Sequence, residues 1–222
     1  MNTNYSKFKS NVNNYINEIK TEFNNNFDNL TKIRMLMNKN NGYITTKEID
    51  QNKIGRDYLK KLVSMGEIEK VSRGIYVDSN MIEDSFYTFY LRHPKAVFSH
   101  FTALYFHDMT EVIPNVFDIT CANNFYASDF DNYNVFYVKE ELVDLGAIMV
   151  DDKHGFKVRC YDLERCICDI IRCDNRMDEE QVIKSLKLIF SKGNISMHKL
   201  TEYSKKLNCH EKVMNIVRYY DE

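Results

Sequence analysis

Apolar positions along this chain recur at helical spacing in some stretches and alternate in others, and these rhythms predict its elements. Phe8, Val12, Tyr15, Ile19 and Phe23 are spaced 4, 3, 4 and 4 apart, which places them on one face of a leading helix. Asn29 to Lys39 reads as a second helix with Leu30, Ile33, Leu36 and Met37 turned inward. "NGYIT" reads as a turn and a short strand. Thr45, with Glu48 three residues on, then has the arrangement of a capping box opening a short helix through Ile49. After the link "DQNKIG" a longer helix follows and ends before Gly66, with Ile54, Tyr58, Leu59, Leu62 and Val63 inward. Ile68 to Val77 alternates as a hairpin around the tip Ser72-Arg73-Gly74, where glycine suits a positive φ.

Past a polar link at Asp78-Ser79-Asn80, the rhythm changes to short mixed elements. "MIEDSFYTFYLRH" reads as a helix with Phe86, Phe89 and Tyr90 inward, "AVFSH" as a buried strand, and Ser99 as a cap for the helix "HFTALYFHDM". "NVFDITCA" and "YNVFYVK" read as strands, "AIMV" and "FKVRCYD" as a hairpin around "DDKHG", and the last sixty residues as four helices. The class is α+β: an N-terminal winged helix-turn-helix over residues 1–80, then a mixed α/β C-terminal domain with a helical end over 81–222.

The order helix, short strand, helix, helix, hairpin is what defines the first of these as a winged helix-turn-helix. In that layout the third helix can enter the DNA major groove and the wing can reach the backbone or minor groove. Charge supports such a use. The chain carries a net charge of −2, yet residues 31–77 hold ten Lys or Arg against five Asp or Glu, while residues 78–222 hold 17 against 24. Lys53, Arg56 and Lys60 are expected at base edges or adjacent phosphates, and Thr45, Lys47, Lys61 and Arg73 on the backbone. A solvated charge on a turn would account for Arg73 in isolation, and winged helices also serve as protein-binding modules.

Other chemistry finds little footing. No apolar run is long enough to span a membrane, and the polar start does not suit a signal peptide. The six cysteines lack the paired spacing of structural zinc sites and read as reduced thiols of a cytoplasmic protein. Phosphate-loop, dinucleotide-binding, zinc-protease and serine-hydrolase signatures are missing, so no cofactor, metal site or catalytic residue is assigned and the chain is not read as an enzyme. Asp118, followed by Asp151, Asp152 and Lys153, has the residue types of a metal-dependent nuclease core, though "DDKHG" has turn composition. His100 and His107, seven apart, would share a helix face. Lys184, Lys187 and Lys192 are either a solvated face or an auxiliary basic strip.

Taken together, "GYITTKEIDQNKIGRDYLKKLVSMGEIEKVSRGIYV", "HPKAVFSHFTALYFHDMTEVIPNVFDIT" and "YDLERCICDII" resemble the abortive-infection type IV antitoxins (AbiEi-like) from about Gly42 to Ile171. The resemblance implies an antitoxin that represses its own operon by binding inverted repeats in double-stranded promoter DNA. It also implies that the C-terminal domain neutralises a nucleotidyltransferase toxin without a stable complex. Two monomers could occupy symmetric repeats cooperatively. A winged-helix regulator with a ligand-sensing second domain is the alternative, and a nuclease the more remote one.

Overall fold

The computed structural model describes residues 28–221, and the leading helix expected on Phe8 to Phe23 lies outside them. The described chain divides into two compact units that part between Glu83 and Asp84.

In the first unit, α1 (Asn29–Lys39) starts on Asp28, whose carboxylate accepts the Leu30 and Thr31 N–H groups. β1 (Tyr43–Thr45) leads into α2 (Thr46–Gln51), then α3 (Asp57–Ser64), β2 (Ile68–Ser72) and β3 (Ile75–Asp78). The strands form an antiparallel sheet in the order β1-β3-β2. Ile33, Met37, Ile44, Ile49, Ile54, Leu59, Leu62 and Ile68 make one buried cluster beneath the three helices. Val63, expected inside, is 40% exposed, because an eight-residue helix with Leu59 and Leu62 buried turns the position after Leu62 outward.

The third helix starts at Asp57, past Ile54, which the apolar pattern places inside it. Lys53 instead takes a left-handed conformation at φ 56. The Ile54 N–H donates to Ile49 O and the Lys53 N–H to Asp50 O, each at 3.0 Å, which closes α2 in a Schellman motif. Ile54 is buried as expected, but as the apolar residue just past that motif rather than as part of α3. Glycine usually fills such a position, and a lysine there hides the helix end from sequence patterns.

The second unit is built on a mixed five-stranded sheet. Its strands are β4 (Val97–Phe98), β5 (Asp118–Ala122), β6 (Asn134–Val138), β7 (Ala147–Asp151) and β8 (Lys157–Tyr161), in the order β6-β5-β4-β8-β7. The β5–β6 and β4–β8 pairs are parallel, the other two antiparallel. Helices α4 (Ser85–Arg92), α5 (His100–Phe106), α6 (Leu163–Arg172), α7 (Glu179–Lys192), α8 (Met197–Lys206) and α9 (His210–Asp221) complete it. Ser99 stands at the N-cap of α5 without a side-chain cap bond, since its Oγ lies 2.9 Å from His100 Nδ1 instead. His107 falls just past the end of α5, so the two histidines do not share a helix face as expected: His100 stacks on Phe136 and His107 Nε2 meets Tyr161 O.

Helix α6 is buried from Glu164 to Ile171, charged residues included. Arg165 Nε donates to Asp169 Oδ2 at 3.0 Å, and Nη1 donates to the Leu142 and Leu145 carbonyls at 2.8 Å each. Its guanidinium also lies 4.2 Å from the Tyr161 ring centre. This one side chain therefore pins the loop that enters β7. Burial pushes the Asp169 carboxyl above its usual range, against the pull of Arg165 and Arg172.

Candidate nucleic-acid interface

The cations expected to meet DNA stand on three local structures. At the wing, β2 and β3 are joined by a two-residue Arg73-Gly74 turn between paired Ser72 and Ile75. The expected three-residue tip is shortened because an irregularity between Lys70 and Ser72 absorbs the extra residue. Arg73 is exposed, and Gly74 sits at φ 76. The Thr46 N–H donates to Gly74 O at 2.8 Å, so the wing tip touches the first turn of α2. β1 pairing sets Thr45 opposite Ile75. Thr45, Lys47 and Arg73 are thereby gathered at one end of α2.

Thr45 is not free to serve a phosphate through its hydroxyl. Its Oγ1 donates to Glu48 Oε2 at 2.8 Å and accepts the Glu48 N–H at 3.2 Å, while the Glu48 carboxylate accepts the Thr45 N–H. The capping box read from the sequence is complete. Its completion gives Thr45 the role of helix cap.

At the other end of α2, Lys53 is exposed in the turn, and Arg56 holds the N-cap position of α3. Neither lies within the recognition helix assigned to them. Arg56 forms a two-pronged pair with Asp50, with Nε to Oδ1 at 2.9 Å. The hydrogen bond from Arg56 holds the Asp50 carboxyl below its usual range. Reciprocally, Asp50, and more weakly the Tyr76 hydroxyl of β3, raise the Arg56 guanidinium. Sequence reading missed Asp50 because the partners are six residues apart across a turn, a separation no helical spacing brings together. On α3, Lys60 and Lys61 are exposed while Leu59 and Leu62 face the core. Lys70 on β2 is likewise exposed and extends the cationic edge of the wing.

The other candidate groupings fare less well. Asp118 is buried in β5, accepting the Phe101 N–H at 3.1 Å and the Asn134 amide at 2.9 Å. Strands β4 and β8 lie between β5 and β7, which puts Asp118 roughly 14 Å from the Asp151–Lys153 run at about 4.8 Å per strand. Lys153 is paired with Asp108. The nuclease grouping is not assembled. Of the lysine strip, Lys184 pairs with Glu180 at 2.6 Å, and Lys187 and Lys192 are exposed on the same helix. Its charge is thus partly cancelled on its own surface.

Three helices, a short strand and a two-stranded hairpin over one core give the first unit the element order expected of a winged helix-turn-helix. Residues 32–77, from α1 through β3, match the family model of the AbiEi antitoxin transcriptional regulators, and the resemblance read from the sequence therefore holds for this unit. Among solved structures, the chain is similar to that of the RV2827C protein from Mycobacterium tuberculosis. They are 11% identical, with a TM-score of 0.58 over 82% of this chain and 73% of that one, a likeness of fold. A search of curated proteins found no match. No helix among the described residues is long and apolar enough to cross a membrane.

Proposed function

We propose that the first unit binds double-stranded DNA as the operator-reading part of an autorepressing antitoxin, without enzymatic activity. The observation that carries this reading is the wing tip fastened to α2, which sets the exposed Arg73-Gly74 turn against the helix start that carries Lys47, within a unit that matches the AbiEi antitoxin regulators. Lys60 and Lys61 on α3 and Lys53 in the turn supply further phosphate contacts, and Arg56 joins them when Asp50 releases it. The second unit, on this reading, neutralises a nucleotidyltransferase toxin, and two copies occupy inverted repeats cooperatively.

The test is a mobility-shift titration against the DNA upstream of the chain's own gene. With about 4–6 phosphate contacts per copy, the log–log slope of affinity against salt is expected at roughly −4 to −5. Equal binding to unrelated DNA of the same length at physiological salt would refute an operator-reading role. Growth rescue by the second unit during expression of a neighbouring nucleotidyltransferase tests the antitoxin half.

A ligand-sensing regulator draws support from one feature of the second unit. A cleft of about 620 Å³ is lined by Lys139, Glu141, Arg172 and Lys206. This reading requires an effector that alters DNA affinity, and it gives no growth rescue.

A further inference from the structure

Asp84, Asp152 and His154 converge in the second unit although the first two lie 68 positions apart in the chain. Asp84 is the N-cap of α4, and its Oδ1 accepts the Tyr87 N–H at 2.7 Å. The other oxygen, Oδ2, meets His154 Nδ1. Asp152 closes the turn between β7 and β8, its Oδ1 accepting the His154 N–H at 2.9 Å and the Phe156 N–H at 2.8 Å. Both carboxylates are buried, 4% and 7% exposed, whereas the His154 side chain is 70% exposed. Stacked Tyr87 and Phe156 rings, with centres 4.6 Å apart, hold the start of α4 against this hairpin.

Asp152 Oδ2 is buried with no hydrogen-bond partner. An orphaned carboxylate oxygen beside a second carboxylate is costly out of water unless a cation or proton meets it. The adjacent lysines do not: Lys153 pairs with Asp108 and Lys157 with Asp151. One ligand atom from each of Asp84, Asp152 and His154 lies within 4.8 Å of the others. A single ion bonded at about 2.0–2.2 Å to each would take the place of the direct His154–Asp84 hydrogen bond, the exposed imidazole moving back to admit it. Each carboxylate is oriented by backbone N–H groups through one oxygen, as the outer-shell contacts of a metal ligand orient it.

We propose that Asp84, Asp152 and His154 bind a divalent transition metal of the zinc class, with water completing the coordination on the solvent side. One imidazole and two carboxylates suit such an ion better than Ca²⁺ or Mg²⁺, which take six or more oxygen ligands. The ion would tie the β7–β8 turn to the start of α4, and it is independent of the DNA-binding reading.

The test is calorimetric titration of the chelator-treated full-length protein with ZnCl₂, paired with thermal melting. The expected result is one saturable ion per chain and a raised Tm. His154→Ala, whose side chain is exposed and carries no core packing, should weaken binding at least tenfold and abolish the Tm rise, and Asp152→Asn should do the same. Millimolar Mg²⁺ should not compete. Absence of a one-to-one binding event, or binding of unchanged strength in His154→Ala, would overturn the site. The first of these outcomes would leave a proton shared between Asp84 and Asp152 as the answer to the orphaned oxygen.

Discussion

The Thr46 N–H and the Gly74 carbonyl, 2.8 Å apart, join the first turn of α2 to the apex of the wing. A helix start leaves N–H groups without intrahelical partners, and here the wing satisfies one of them. The contact is close enough that a Cβ at position 74 would lie 2.6 Å from Thr46 Oγ1, on a backbone at φ 76. Gly74→Ala therefore meets both a left-handed penalty of about 1–2 kcal/mol and a collision. Denaturant unfolding should show a loss of at least about 1 kcal/mol. An unchanged midpoint would mean that the wing is not held against α2.

Arg73→Ala removes an exposed side chain that carries no packing. Its melting curve should match the parent's, while the salt slope of DNA binding flattens by about 0.9. A parental slope would exclude Arg73 from the interface.

On the proposed DNA-binding reading, Asp50 competes with phosphate for Arg56. Asp50→Asn should strengthen operator binding severalfold, and Arg56→Ala should weaken it. The double variant should resemble Arg56→Ala alone. Were Asp50→Asn to weaken binding instead, the pair would be a device that orients Arg56 for its phosphate rather than one that restrains it.

Lys53→Gly separates conformation from charge. Removing a non-glycine residue from φ 56 should raise stability by up to about 1 kcal/mol. Loss of its charge should at the same time flatten the salt slope. A more stable protein with an unaltered slope would confine Lys53 to a structural role.

In the second unit, Asp169→Ala strands the buried Arg165 guanidinium beside two carbonyls. Breaking one half of a buried pair typically costs about 3–5 kcal/mol, and replacing both partners with apolar residues much less. Asp169→Ala should unfold at markedly lower denaturant, and the double change Arg165→Met with Asp169→Leu should recover most of the loss. Similar melting of the single and double variants would contradict the clamp.

What the sequence revealed depended on how local the determining contacts are. The capping box at Thr45 and Glu48, the stop at Gly66 and the strands of the wing follow from residues within four positions of one another, and all are present. The start of α3 was hidden because Lys53 takes a conformation usually reserved for glycine. The Arg56–Asp50 pair was hidden because its partners meet across a turn. Sheet order in the second unit was not legible, since β4 and β8 are joined by pairing Phe98 with Cys160, far apart in the chain. Glu164, Arg165 and Asp169 of the "YDLERCICDII" stretch, quoted for its resemblance, turn out to act in the core: Glu164 accepts the Ser196 N–H at 2.7 Å, and Arg165 meets Asp169.

The two-residue strand β4 has consequences for biosynthesis. It lies mid-sheet, flanked by β5 and β8, so the larger sheet stays split until Cys160 has been made. The smaller sheet has all its partners once Asp78 is in place, about eighty residues sooner. A ribosome working from the N-terminus therefore delivers the candidate DNA reader with every strand partner present while its companion is still incomplete. Translation arrested between those two points would release a chain whose first sheet has every strand paired while its second is still in two pieces.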